Sequence, residues 1–279
     1  MTRRIVVPLN ETARSERALP VAVAFARRLK VPLALVSVVT WPNVEHPGHP
    51  GYHETMMRDY PDVEAESVVV KTRNDIASAI RSVCGPDDIV CIGTDHTSAV
   101  AELFLHSIFF DIVRGFHGPV IAVGPHAVLP EAASRVLVCL DGHEHAEQGL
   151  DLVPLVVAPA GLEPFLVQVI SGKDTAALRG SDSTESGYLH RLAHSVPSMN
   201  IEGWDVLHGK PVDSISDYAD DPSVAAIAFT TDALDPVGRL ISPSLANGLV
   251  AKATRPLILL GSTSPMTVTR HEIPAAQNT

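Results

Sequence analysis

The chain has 279 residues, with 32 Asp plus Glu against 21 Lys plus Arg and a formal net charge of −11 at pH 7. Affinity for nucleic acid comes mainly from Lys and Arg displacing counterions, so this balance, with no basic stripe, excludes nucleic acid as an expected partner. No stretch approaches the roughly 20 apolar residues of a membrane span, Ile5 to Leu9 is too short for a signal peptide's apolar region, and three cysteines, two of them in apparent strands, suit a reducing compartment. The expectation is a cytoplasmic protein without membrane or nucleic-acid contacts.

Ile5 to Leu9 is a short apolar run ending in turn chemistry, as expected of a parallel strand buried on both faces. Residues 13–29 carry Leu19, Val23, Phe25, Ala26 and Leu29 at helical spacing, with Pro20 early enough to need only a first-turn position or a mild kink. Leu33 to Val39 reads as a second strand, Ser67 to Lys71 as a third and Ile89 to Ile92 as a fourth. A helix over residues 99–114 leads to a fifth strand, Pro119 to Val123. Between the second and third strands, residues 41–63 hold Pro42, Pro47, Gly48, Pro50, Gly51 and Pro61, and read as a loop with one short helix near Glu54 to Arg58.

The pattern then repeats. Arg4 to Asn10 (RIVVPLN) is answered by Arg135 to Asp141 (RVLVCLD), an offset of 131 residues (135 − 4), and Pro119 to Gly124 by Pro256 to Gly261, an offset of 137 (256 − 119). A period near 130 is a domain length, so the chain is a tandem duplication. The second copy carries strands near 135–140, 165–170, 202–208, 224–229 and 256–260, with about six extra residues in its middle. Residues 171–200 contain the polar GSDSTESG before a helix over Tyr188 to Ser195. The expected domains are 1–126 and 134–262, joined by a linker over 125–134 and followed by a flexible tail, 263–279. Strands alternating with helices imply right-handed crossovers and a doubly wound parallel sheet in each domain.

In such a sheet ligands bind outside the carboxyl ends of the strands. The candidate groups are Asn10-Glu11-Thr12, Val39-Thr40, Lys71-Thr72 and Gly93 to His96 in the first copy. Their counterparts are Asp141-Gly142-His143, Ile170-Ser171, His208-Gly209 and Thr230 to Ala233.

These residues resemble the universal stress protein family, over both halves almost end to end. A family domain opens with a strand, P-x-D-G-S and a helix with a Ser-x-x-Ala-Leu-like start. Pro8 to Thr12 with Ser15 to Leu19 is similar, as is Leu140-Asp141-Gly142 with Glu147 to Leu150. The family's closing strand, glycine-rich loop, helix and strand resemble Ile89 to Val123 and, more loosely, Ala225 to Leu260. The resemblance implies an α/β fold of two tandem Rossmann-like domains of the adenine nucleotide alpha hydrolase type. Each would be a five-stranded parallel sheet with helices on both faces, paired as an intramolecular pseudo-dimer through Val120 to Gly124 against Leu257 to Gly261.

ATP-binding members carry the signature G-2x-G-9x-G-(S/T), in which glycine lets the backbone approach phosphates closely. The matching positions are Gly93, His96, His106 and Ser107 in the first copy, with the two inner glycines replaced, and Thr230, Ala233, Pro243 and Ser244 in the second, where only the hydroxyl survives. Pro243 also removes a backbone donor. Asp95 and Asp232 bring carboxylates to the loops, and Glu102 stands where the family commonly has Arg. Asn10 replaces the family's Asp, which Asp141 keeps. The resemblance thus gives, as candidate nucleotide contacts, Asn10, Val38, Gly93, His96, His106 and Ser107 in domain 1 and the weaker Asp141 and Ser244 in domain 2. The rings of His96 and His106 either contact phosphate or fill the vacated pocket.

Other motifs carry less. His46, His49 and His53 form H-x2-H-x3-H, but intervening Pro and Gly exclude one helical face, and a surface loop is expected rather than a metal site. His46-Pro47-Gly48-His49 mimics a nucleotidyltransferase HxGH but follows the second strand rather than the first. His190 and His194 are i, i+4 without the Glu of an HExxH site, so an exposed or capping role is expected. With no nucleophile elbow, P-loop or dinucleotide fingerprint, catalysis is not expected. The expected function is a non-catalytic stress or signalling protein, with ATP binding largely lost and no firm cofactor, acting through an unidentified protein partner, further homodimerisation being left open. The alternative is a sensor of one adenine nucleotide (ATP, AMP or cyclic AMP) in domain 1, and the weakest is a slow ATPase.

Overall fold

The computed structural model describes residues 3–41, 49–73, 75–94, 108–142, 144–171, 182–230 and 243–260, excepting the side chains of 144–145, 182–186, 197 and 243–244. In the first repeat, β1 (Ile5–Pro8), β2 (Leu33–Thr40), β3 (Ala65–Thr72), β4 (Ile89–Gly93) and β5 (Pro119–Val123) alternate with α1 (Ala13–Glu16), α2 (Ala18–Leu29), α3 (Tyr52–Met57), α4 (Ile76–Val83) and α5 (Ile108–Gly115). The second repeat supplies β6 (Arg135–Leu140), β7 (Glu163–Ile170), β8 (Gly203–His208), β9 (Val224–Thr230) and β10 (Leu257–Leu260). Its helices are α6 (Glu144–Glu147), α7 (Asp182–Ser195), α8 (Pro211–Ala219) and α9 (Pro243–Lys252).

All ten strands join one sheet in the order β3-β2-β1-β4-β5-β10-β9-β6-β7-β8. Pairing is parallel within each repeat and antiparallel where β5 meets β10, with Ile121 opposite Ile258 and Leu259 opposite Val120. The pseudo-dimer pairing implied by the family resemblance is present, and it removes two sheet edges that would otherwise be open. The helices form a layer on each face. On one, α2 and α3 share an apolar cluster with the helical turns after β6 and with α7; on the other lie α4, α5, α8 and α9.

Local sequence explains most elements. β1, β4 and β5 are buried throughout, as continuous apolar runs in a covered parallel sheet must be. The helix expected over 13–29 is broken at Arg17, so that α1 is capped by Thr12 Oγ1 accepting from Ser15 N–H, and Pro20 falls in the first turn of α2. In the second repeat the same segment is more irregular: α6 passes into a 3-10 turn (Gln148–Asp151) and a π turn (Val153–Val157) containing Pro154, which has no N–H to donate. The short helix expected near Glu54 to Arg58 lies at Tyr52–Met57. The helix expected over 99–114 is seen from Ile108, and residues 95–107, like the tail 263–279, lie outside the described residues.

The duplication extends to side-chain contacts. Arg4 pairs with Glu66, and Arg135 with Glu202. The Tyr52 hydroxyl donates to Glu16 Oε1 at 2.9 Å, and the Tyr188 hydroxyl to Glu147 Oε1 at 3.1 Å. The arginines and the glutamates bonded by tyrosine are 131 apart (135 − 4; 147 − 16), and the tyrosines and the glutamates bonded by arginine 136 apart (188 − 52; 202 − 66). Five of the extra residues of the second repeat therefore enter between β7 and α7. The linker is pinned rather than loose: Arg28 donates to the carbonyls of Glu131 and Ala133, each at 2.9 Å, and Val128 N–H to Thr254 O at 2.9 Å.

Candidate functional site

Strand order reverses between β1 and β4 in the first repeat and between β6 and β9 in the second, so each repeat has one crevice at the carboxyl ends of these strands. In the first, Asn10 is exposed just after β1; its N–H donates to Ser15 Oγ at 3.1 Å, and its Oδ1 accepts from the Thr12 hydroxyl at 2.6 Å. Val38 lies half-buried near the end of β2, and Gly93 is buried at the end of β4. A Cβ on Gly93 would lie 1.9 Å from the carbonyl oxygen of Arg14, so the approach of α1 to β4 alone requires glycine here. His96, His106 and Ser107 lie outside the described residues, as do Asp95 and Glu102.

Glu11, at the place of the family motif's glycine, keeps a left-handed backbone with φ 57°. Its carboxylate accepts from the His49 main-chain N–H and pairs with His49 Nδ1, both at 2.7 Å. These contacts hold the carboxyl below its ordinary range and tie the loop after β1 to the segment after β2. That segment also carries His53, which is buried, correcting the expectation of a surface loop. Its Nδ1 meets Ser67 Oγ at 2.6 Å and its Nε2 meets Ser37 Oγ at 2.9 Å, while Ser37 Oγ lies 3.4 Å from Leu9 O. With Ser37 donating to Leu9 O, Nε2 carries the proton and Ser67 donates to Nδ1, a complete set for a neutral ring. Burial lowers the proton affinity of His53 accordingly. Ser37 and His53 have the spacing of a nucleophile and base, but Ser67 rather than a carboxylate orients the ring. A cleft of about 220 Å³ opens beside this group, lined by Leu35, Met57, Tyr60 and Val63, away from the crevice.

In the second repeat Asp141 is half-buried after β6 and Gly142 has φ 88°. Gln168, the counterpart of Ser37, reaches the position a Cβ on Gly142 would face, at 3.0 Å, and its buried Oε1 has no hydrogen-bond partner among the described residues. Thr230 replaces Gly93, and its Cγ2 lies 3.9 Å from where Gly149 would carry a Cβ. Glycine has thus moved from strand to helix, and a side chain occupies the strand end. The backbone of Ser244 lies in the first turn of α9; its side chain is not among those described.

Burial raises the thiol pKa of Cys84 and of Cys139 to about 12 and pushes Cys91 up further, so all three are poor nucleophiles. Among the described residues no three His, Cys, Asp or Glu side chains converge to hold a metal, and no helix is long and apolar enough to cross a membrane. The contacts of Glu11 and His53 carried no local sequence signal, because each depends on strands distant in sequence. Those of Glu16 and Glu147 could have been found from the repeat offset.

No protein-family model matches the chain, and no curated protein matches it by sequence. Solved structures do match its fold. A universal stress protein from Archaeoglobus fulgidus is similar over 94% of this chain and 97% of its own, at 15% identity and a TM-score of 0.63. A putative universal stress protein from Pseudomonas aeruginosa is similar over 93% of each chain, at 12% identity and a TM-score of 0.60. The cytoplasmic domain of a prokaryotic cation chloride cotransporter covers 94% of this chain and 96% of its own, at 15% identity and a TM-score of 0.52. The fold is that of two universal-stress-protein domains in tandem.

Proposed function

We infer that the chain is a tandem universal stress protein that acts in stress response or signalling without catalysis, through a protein partner, with family-type ATP binding lost in the second repeat and largely lost in the first. The reading rests on Gly93. Of the glycines in the ATP-binding signature it alone is kept, and its contact with Arg14 accounts for it without any phosphate. The supporting features are the carboxylate of Glu11 at the first crevice, Thr230 in place of Gly93 at the second, and the His96, His106, Ala233 and Pro243 substitutions. A like fold serves as the cytoplasmic domain of a transport protein, in keeping with a module that works beside other proteins.

The second reading, one adenine nucleotide held in the first repeat by Asn10, Val38, Gly93 and Ser107, draws on the exposed Asn10 just after β1. Thermal unfolding with and without excess Mg-ATP separates the two, after mass spectrometry has shown the purified protein to be nucleotide-free. Ligand at 100 times its dissociation constant stabilises the native state by about 2.7 kcal/mol. No shift is expected; a shift abolished by Ser107→Ala would establish the sensor instead.

A further inference from the structure

Away from both crevices, α7 presents His190 and His194 one turn apart on its exposed surface. Their rings stack at 4.2 Å between centroids with 25° between planes. His194 Nδ1 lies 2.7 Å from the carbonyl oxygen of His190. A carbonyl only accepts, so Nδ1 carries the proton and Nε2 keeps its lone pair. This is the arrangement in which a backbone carbonyl fixes the tautomer of a metal-binding imidazole. Among the described residues the ring nitrogens of His190 have no hydrogen-bond partner. Trp204, on the edge strand β8, packs edge-on against both rings, at 5.2 Å and 90° to His190 and 5.8 Å and 71° to His194. The pair is therefore backed by a rigid indole and open on its other side.

We propose that His190 and His194 form a two-nitrogen binding site for a divalent transition ion of borderline softness, Cu(II), Ni(II) or Zn(II), with water in the remaining positions. Two metal–nitrogen bonds of the usual length at a tetrahedral angle place the donor nitrogens about 3.4 Å apart. The rings, stacked with centroids 4.2 Å apart, would have to open by about 1 Å and turn their nitrogens toward one another to bind one ion, a change of side-chain rotamer on an exposed helix face. The strong net negative charge of the chain raises the local concentration of cations. With no third side-chain ligand among the described residues, discrimination follows the intrinsic order, in which Cu(II) binds more tightly than Ni(II) or Zn(II).

Trp204 reports on the site directly. The chain has two tryptophans, so Trp41→Phe leaves Trp204 as the only one. In that background paramagnetic Ni(II) and Cu(II) quench Trp204 fluorescence saturably, and diamagnetic Zn(II) competes the quenching away. His190→Ala and His194→Ala each raise the half-saturating Ni(II) concentration by about tenfold or more, whereas His208→Ala leaves it unchanged. Circular dichroism confirms the fold of each variant; where an alanine disturbs α7, the glutamine variant replaces it. Quenching that is absent, does not saturate, or survives both histidine substitutions overturns the proposal.

Discussion

Ile121 pairs with Ile258, which is its own counterpart in the second repeat, 137 residues later (258 − 121). Both are fully buried. A residue facing its own equivalent marks a two-fold axis, so the pseudo-dyad of the chain passes between these two side chains, perpendicular to the sheet. The packing agrees, since equivalent helices of the two repeats share one face.

One continuous sheet makes the repeats a single cooperative unit. Each repeat holds one tryptophan, Trp41 or Trp204. The variants Trp41→Phe and Trp204→Phe should therefore unfold in urea with coincident midpoints, although each reports on a different half. Ile121→Ala should lower both midpoints together, at a cost of about 2–5 kcal/mol. Separate midpoints would show that the halves fold independently.

The buried imidazole of His53 should make stability depend on pH. Folding holds its pKa below the ordinary 6.5, so the unfolded chain takes up the extra proton first. This contribution is complete above pH 6.5 and falls as the pH drops through 6.5 toward the lowered native value. His53→Leu installs the residue type of the matching Leu189 and should remove this part of the pH dependence in denaturation curves between pH 5 and about 8. His53→Ala should cost about 1–3 kcal/mol through lost hydrogen bonds and packing.

Gly93→Ala should destabilise the ligand-free protein by at least about 2 kcal/mol, because the clash is with backbone that cannot rotate away. Thr230→Gly, the reciprocal change, should cost only about 1 kcal/mol. Melting of both variants without nucleotide tests whether the glycine serves packing; a harmless Gly93→Ala would return it to the phosphate reading.

Thiol titration with a chromogenic disulfide near pH 7.5 should find the native cysteines slow to react and three reacting once the chain is unfolded. Rapid labelling of Cys91 or Cys139 in native protein would mean that the sheet opens locally.

The parts of the fold legible in the sequence were those written in local chemistry. Unbroken apolar runs such as Ile5 to Leu9 and Pro119 to Val123 located the central strands, and the repeated RIVVPLN and RVLVCLD runs revealed the duplication. Where stability comes from distant partners, local sequence carries no signal. Proline and glycine around His53 suggested a solvated loop, but Ser37 and Ser67 on neighbouring strands draw the ring inside. The break at Arg17, which leaves α1 as a short helix capped by Thr12, is not visible in the apolar spacing. Glu11 in a left-handed conformation could not be foreseen from its residue type; its place at the glycine of the family motif and its alignment with Gly142 point to it. Among the proposed nucleotide contacts, Asn10, Val38, Gly93 and Asp141 do sit at strand ends around the crevices, while His96, His106 and Ser107 fall outside the described residues.

The antiparallel seam between β5 and β10 also fixes how the molecule meets its surroundings. Strands of the two repeats point in opposite directions, so the crevices open on opposite rims of the sheet, like two mouths of one bar turned half a revolution. No compact molecule can occupy both at once. Whatever engages this protein through its strand ends either takes one rim and leaves the other for a second guest, or is long enough to reach around the bar.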